Sequence, residues 1–146
     1  AAAMANDHKL IAMSQLDVNL AKQLNILLTQ MGFAKERIIM DPMSSALGYG
    51  MEYTYSVMER IRQAALLQND PMMQTPIVCD IGLNVWKVKE TIAPDAEMPE
   101  WGGLADRALA WEAITASGML TAGADLLIMR HPGAMVKAKE LIAELM

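Results

Sequence analysis

The sequence predicts an α/β protein made of four consecutive strand–helix units. Three observations carry that expectation. Short apolar runs recur at Leu10–Met13, Ile38–Met40, Pro76–Ile81 and Leu126–Met129. Each run is followed by a stretch with apolar residues three and four apart, the period of an amphipathic helix. The runs are continuous rather than alternating, which is the pattern of parallel strands covered on both faces. The units average roughly 36 residues, so eight would need about 290, inside the size range of a (β/α)8 barrel. An independent open sheet of flavodoxin type is the alternative.

The elements follow in order. After Leu10–Met13, a helix is predicted from about Asp17 to Met31, with Leu20, Leu24, Leu27, Leu28 and Met31 on one face. Gly32 stands where a left-handed cap ends a helix. Ile38–Met40 ends in Asp41-Pro42, and a glycine-bracketed turn follows, Gly48-Tyr49-Gly50. The next helix runs from about Met51 to Gln68, with Met51, Tyr55, Met58, Ile61 and Ala65 facing inward. After Pro76–Ile81 a long loop reaches about Gly103, and a helix continues to Thr121. Pro94 and Pro99 do not mark a domain boundary, because the βα pattern resumes after them. After Leu126–Met129, Pro132-Gly133 opens a last helix carrying Val136, Leu141, Ile142 and Leu145. The Ala-rich start, Ala1 to Asn6, reads as the tail of a preceding helix. The expectation is therefore a chain that lacks earlier units.

Composition narrows the function. At 146 residues, a domain can bury roughly 70% of its unfolded surface. The net charge is −5 and no Lys/Arg cluster is dense, which argues against a nucleic-acid footprint. No apolar stretch approaches the roughly 20 residues of a membrane span, and no secretory signal opens the chain; a cytoplasmic location is expected. The single cysteine, Cys79, excludes an internal disulfide. It also excludes a self-contained iron–sulfur cluster, which usually needs several thiolates. His8 and His131 are too few for a His-rich metal site, so metal chemistry is expected from a partner. Fourteen methionines suit gap-filling in a core; they also suit life without oxygen, where methionine oxidation is a small hazard.

Parallel strands put their C-terminal ends on one rim, the face where barrels and open α/β sheets bind ligands. That rim gathers Ser14 and Gln15; Asp41, Ser44, Ser45, Gly48, Tyr49 and Gly50; Asp80, Gly82, Asn84 and Trp86; and Arg130 and His131. Asp41 is a candidate acceptor for a ligand amide or ring N–H; it equally suits a turn that caps its own loop. Gly48 and Gly50 suit positive φ or close backbone approach, and their spacing is not a dinucleotide fingerprint. Tyr49 and Trp86 offer flat apolar surfaces, or plain rim packing. Asn84 is a side-chain amide for a ligand, or a turn residue. Arg130 is a candidate for an amide-bearing ligand or a partner carboxylate, and His131 can titrate near neutrality; the plainer role of both is to orient the rim. Glu52 fits the first turn of its helix. Trp111 reads as helix-to-sheet packing.

Several segments resemble one family. They are Asp41-Pro42, Leu47-Gly48-Tyr49-Gly50-Met51-Glu52-Tyr53 and Met58-Glu59-Arg60-Ile61-Arg62. With them come Leu16-Asp17-Val18-Asn19, Lys22-Gln23-Leu24-Asn25-Ile26-Leu27, and Trp86-Lys87-Val88-Lys89-Glu90. Trp111-Glu112-Ala113, Ala122-Gly123-Ala124-Asp125 and Met129-Arg130-His131-Pro132 complete the set. In order and spacing these resemble the small subunit of the corrinoid/iron–sulfur protein, whose archaeal relative is the delta subunit of acetyl-CoA decarbonylase/synthase. Two stretches depart from the pattern: Met43-Ser44-Ser45-Ala46 stands where a Gly/Thr-rich segment is expected, and a glycine is absent after Arg107.

The resemblance implies a (β/α)8 barrel of which residues 1–146 are the C-terminal half. It implies a subunit that shields and positions a corrinoid while a methyl group passes from a methylated pterin to acetyl-CoA synthase. The partners it implies are the large corrinoid/iron–sulfur subunit, which carries the iron–sulfur cluster, a methyltetrahydrofolate methyltransferase, and acetyl-CoA synthase. The corrinoid would lie at the interface with the large subunit, against Asp41, Ser44, Gly48, Tyr49, Gly50, Asn84, Trp86, Arg130 and His131. No residue reads as a catalytic acid, base or nucleophile. Two rivals stand beside this: a pterin-binding methyltransferase barrel using Asp41 and Asn84, and a scaffold whose rim meets only protein.

Overall fold

The computed structural model describes residues 1–146. The order is α1 (Ala2–Ala5), β1 (Leu10–Met13), α2 (Val18–Gln30), β2 (Ile38–Asp41), α3 (Met51–Leu66), β3 (Val78–Asp80), α4 (Ile81–Val85), α5 (Lys89–Ile92), α6 (Leu104–Thr121), β4 (Leu126–Ile128) and α7 (Pro132–Leu145). Short 3₁₀ turns occupy Lys35–Arg37, Asp95–Glu97 and Pro99–Trp101. The fold is mixed α/β with short parallel strands, as the apolar runs predict. No helix is long and apolar enough to cross a membrane.

β1 pairs with β2 in parallel, Leu10 opposite Ile38 and Met13 opposite Asp41. β3 pairs with β4 in parallel, Val78 opposite Leu126 and Asp80 opposite Ile128. A single parallel bridge between Met40 and Ile77 joins the two ladders, with Met40 N–H donating to the Pro76 carbonyl at 2.8 Å. The strands therefore advance 1-2-3-4 in sequence order.

Side chains alternate across a strand, and here the alternation separates two unlike faces. Met40, Ile77 and Cys79 join Val57, Met58, Ile61, Met119 and Ala138 in the main core, so α3, α6 and α7 pack on that face. Ala12 and Ile38 pack with Phe33, Leu24 and Leu28 of the α2 region. On the opposite face Ile11, Met13, Leu126 and Ile128 are exposed, each about half open to solvent. The continuous apolar runs predicted cover on both faces; this chain supplies it on one.

Local chemistry sets the boundaries. Asp17 caps α2, accepting from the backbone N–H of Asn19 at 2.8 Å and Leu20 at 3.0 Å. Gly32 takes the left-handed conformation expected of it, with φ 86°. The inward face of α2 is Ala21, Leu24, Asn25 and Leu28, while the predicted Leu20, Leu27 and Met31 are exposed. The face turns because buried Asn25 reaches the Met72 carbonyl at 2.7 Å. α7 buries Ala134 and Ala138 rather than Val136, Ile142 and Leu145. Small residues let α7 approach α6 closely, a contact that pattern reading by hydrophobicity passes over.

Two further corrections concern the third unit. The strand ends at Asp80, not Ile81, because the Asp80 carboxylate accepts from Leu83 N–H at 3.0 Å and starts α4 at once. The long connection is not a plain loop: α4, α5 and two 3₁₀ turns fill it. Buried Arg107 of α6 holds it together. Its guanidinium donates to the carbonyls of Glu90, Ala93, Gly102 (2.8 Å) and Met98 (3.5 Å).

Candidate functional site

The rim is built from three loops. After β2, Asp41 is half-buried and its Oδ1 accepts from Met43 N–H at 2.8 Å. Burial pushes its carboxyl above the ordinary range; the Met43 bond opposes this, and the nearby Asp80 charge adds to it. Ser44 is buried beside the Cys79 thiol, and its hydroxyl has no hydrogen-bonded partner. α6 secures the rest of the loop: Trp111 Nε1–H donates to the Leu47 carbonyl at 3.1 Å, and Leu47 N–H donates to Thr115 Oγ1 at 3.3 Å. Gly48 (φ 75°) and Gly50 (φ 98°) hold left-handed conformations. A side chain at Gly48 would stand 3.9 Å from the Trp111 ring. Their placement thus answers to the backbone first. Tyr49 projects outward, and its hydroxyl donates to Glu90 Oε2 at 2.5 Å.

After β3, the capping turn carries Asn84 and Trp86. Asn84 Nδ2–H donates to the Asp80 carbonyl at 2.8 Å, closing the turn of α4. Trp86 Nε1–H donates to Glu112 Oε2 at 2.6 Å. After β4, the backbone N–H of Arg130 donates to Glu112 Oε1 at 2.5 Å, and that of His131 to both carboxylate oxygens at 3.1 Å. His131 Nδ1 accepts from Gly133 N–H at 3.1 Å and so caps α7. That bond places the proton of a neutral His131 on Nε2. The Trp86 and His131 rings are parallel to within 6°, centroids 6.2 Å apart. The Arg130 guanidinium lies 5.5 Å from the Trp86 ring centroid, in cation–π range.

The structure sorts the sequence candidates into two groups. Tyr49 and Asn84 share a small cleft of about 150 Å³ with Ser45, Ala46, Lys87 and Val88. Trp86 and His131 border a larger one of about 620 Å³, walled by Ile92, Leu104, Ala105 and Ala108; Arg130 joins this group through Trp86. Asp41 and Ser44 border neither cleft, and Gly48 borders a third, with Met51, Glu52 and Tyr55. Glu112, Arg107 and Glu90 organise the rim and were not among the sequence candidates. Their signal was weak: Glu112, for example, is a single carboxylate between Trp111 and Ala113 on α6.

The larger cleft is lined mainly by aromatic and aliphatic side chains, with Asp95 and His131 as its titratable groups. Cys79 is fully buried, and burial pushes its thiol up to about 11. It is therefore a poor thiolate donor near neutral pH. No group of three or more His, Cys, Asp or Glu side chains converges at any point. What converges is aromatic surface, aliphatic walls and one stacked guanidinium.

The chain is similar to known proteins along nearly its whole length. Residues 1–142 match the family model described as CO dehydrogenase/acetyl-CoA synthase delta subunit. Over 144 residues it is 38% identical to the acetyl-CoA decarbonylase/synthase complex subunit delta 2 of Methanosarcina acetivorans, covering 96% of this chain and 33% of that protein. It is 41% identical over 146 residues to the delta subunit of Methanopyrus kandleri, covering 98% of this chain and 35% of that one. The delta subunit of Archaeoglobus fulgidus is 36% identical over 144 residues, covering 96% of this chain and 31% of that one. The chain thus spans about a third of the length of the curated relatives it matches. On that match, the chain belongs to the CO dehydrogenase/acetyl-CoA synthase delta subunit family.

Proposed function

We propose that these residues form part of a delta-type subunit that covers a corrinoid during methyl transfer in the acetyl-CoA pathway. Family membership supplies the pathway; the rim supplies the fit. A corrinoid is a large, flat, mostly apolar ring fringed by amides, and ligands of that kind need apolar walls with a few fixed polar groups. The observation that carries the reading is the Trp86–His131 ring pair at the mouth of the 620 Å³ cleft. Tyr49 and Asn84 stand at the neighbouring cleft as further contacts. When bound, a corrinoid supplies cobalt as the carrier of the methyl group. The residues of this chain would orient the ring and exclude water. The titratable groups lining the larger cleft are Asp95 and His131, and the rest of its lining is aromatic, aliphatic or a small polar residue.

The architecture we infer is half of a (β/α)8 barrel. Two features support it: strand order 1-2-3-4 without reversal, and helices packed on one sheet face only. A flavodoxin-type sheet would reverse its strand order and place helices on both faces. The partners we infer are a large corrinoid/iron–sulfur subunit that carries the cluster, a methyltetrahydrofolate methyltransferase and acetyl-CoA synthase, all in the cytoplasm. The pterin-binding alternative has less support, because Asp41 Oδ1 and Asn84 Nδ2 are engaged in local turns.

The test uses the full-length subunit assembled with its corrinoid-bearing partner. Trp86→Ala and Tyr49→Ala should leave folding and assembly intact. They should raise the rate at which a small oxidant reaches the cobalt and lower methyl transfer. Normal transfer and normal accessibility in both well-folded variants would refute the reading. Tight binding of a methylated pterin by the corrinoid-free subunit would favour the methyltransferase instead.

A further inference from the structure

Glu112 is the one completely buried carboxylate on α6, and it has no cationic partner. It takes part in none of the ion pairs, which join Lys22 to Asp70, Arg37 to Asp7, Arg62 to Asp125 and Lys137 to Glu140. Burying an ionised carboxylate is costly unless its lone pairs are satisfied. Here they are satisfied by N–H groups alone: the Trp86 indole, and the backbone of Arg130 and His131. Charge-assisted bonds of this kind are roughly twice as strong as neutral ones. The carboxylate also stands at the N-terminal end of α7, where the helix dipole favours negative charge.

The donors come from two chain segments that share no other side-chain anchor of this strength. One is the turn after β3; the other is the loop after β4. Packing alone would be served by an apolar residue at this position. What only an acceptor pair can do is fix the indole in one orientation while fixing the backbone that carries the His131 ring. The two rings then lie parallel to within 6°. With Trp86 Nε1 occupied by Glu112 and His131 Nδ1 by Gly133, the ring pair borders the cleft with His131 Nε2 as its remaining polar atom.

We infer that Glu112 is a positioning residue: it sets the Trp86–His131 platform and joins the β3 and β4 rims into one surface. Its structural arm stands alone. Only its functional arm rests on the proposal that this rim faces a corrinoid.

The test uses Glu112→Gln and Glu112→Ala in the full-length subunit. In the parent protein the Trp86 indole N–H, identified by its loss in Trp86→Phe, should be shifted downfield and protected from exchange in NMR spectra. Glu112→Gln keeps one carbonyl oxygen but presents an amide to the remaining donors. It should therefore retain the indole bond while the Arg130 and His131 amides lose at least tenfold in protection, or the reverse. Glu112→Ala should lose both, unless it fails to fold, in which case Gln alone decides. Full protection of all three N–H groups in a folded Gln variant would overturn the inference. In the corrinoid complex, Glu112→Gln should slow methyl transfer, and adding it to Trp86→Ala should cause less than the additive loss, the remainder acting through His131. Additive losses would overturn the action through Trp86. If the NMR changes occur and methyl transfer is unaffected by either residue, positioning stands and the corrinoid reading falls.

Discussion

The Tyr49 hydroxyl donates to Glu90 Oε2 at 2.5 Å, tying the β2–α3 loop to α5 across 41 residues of sequence. The bond acts on both partners. It raises the Tyr49 phenol above its ordinary value, with smaller contributions from burial and the Glu90 charge. It holds Glu90 below the usual carboxylate range. The signs define a window. The Tyr49 contribution is present below the ordinary phenol pKa and lost as pH rises through the raised value. The Glu90 contribution is present above the ordinary carboxylate pKa and lost as pH falls through the lowered value. Glu90→Gln should lower the Tyr49 pKa toward the ordinary phenol value, because the charge-assisted part of the bond is lost. Tyrosinate absorbance, with Tyr49→Phe to identify the signal, reads the change.

Arg107→Ala should be strongly destabilising. A buried guanidinium that serves the carbonyls of Glu90, Ala93 and Gly102 leaves those acceptors unpaired when removed. Unsatisfied buried groups cost about 1–3 kcal/mol each, partly recovered by water. A loss of about 3 kcal/mol is expected from the denaturation midpoint. Hydrogen exchange should localise it to residues 89–102. Lysine should not rescue, because an ammonium cannot span carbonyls on several sides.

Gly82→Ala tests how closely α4 sits on the end of β4. A side-chain carbon there would meet Arg130 N at 3.1 Å and Met129 C at 3.2 Å, both backbone atoms. Overpacking of this kind costs about 1–3 kcal/mol. Trp86 emission should change as well, since the turn that carries it must move. Gly103→Ser is the contrast: the site is open, and Gly103 stands at the N-cap of α6 with no side chain of its own to cap it, while Asp95 Oδ1 takes the Leu104 N–H. It should be neutral or stabilising by about a few tenths of a kcal/mol.

Cys79 should be silent toward thiol reagents in the native state. Burial raises its pKa to about 11 and leaves it fully covered. At mildly alkaline pH the labelling rate should therefore equal the rate of an opening reaction and become independent of reagent concentration at high reagent. Rapid stoichiometric labelling of the folded protein would contradict the structure.

Much of the framework was legible in the sequence. Four apolar runs marked four strands within one or two residues, and Gly32 and Pro132 marked helix boundaries, because those signals are local. The inner faces of α2 and α7 were not. Asn25 is buried by a hydrogen bond to Met72, and Ala134 and Ala138 by close helix approach; neither follows from hydrophobic period. The rim was legible as a set of loops. Its division into a Tyr49–Asn84 group and a Trp86–Arg130–His131 group depends on Glu112 and Glu90, whose partners lie far away in sequence. The departure at Met43–Ala46 has a local account: Met43 adopts φ 69° and Thr54 Oγ1–H donates to its carbonyl at 3.1 Å, so the turn forms without glycine there.

The open sheet face has a consequence for sequence tolerance. Ile11, Met13, Leu126 and Ile128 project from it in register with Ile39, Asp41, Val78 and Asp80. Selection for solubility on residues 1–146 alone would favour polar replacements at the four exposed positions. Selection for function in the proposed full-length subunit would reject them if this face lines the interior of the proposed barrel. Subtracting one tolerance map from the other would outline the covering surface residue by residue, with Asp41 and Asp80 marking its upper border.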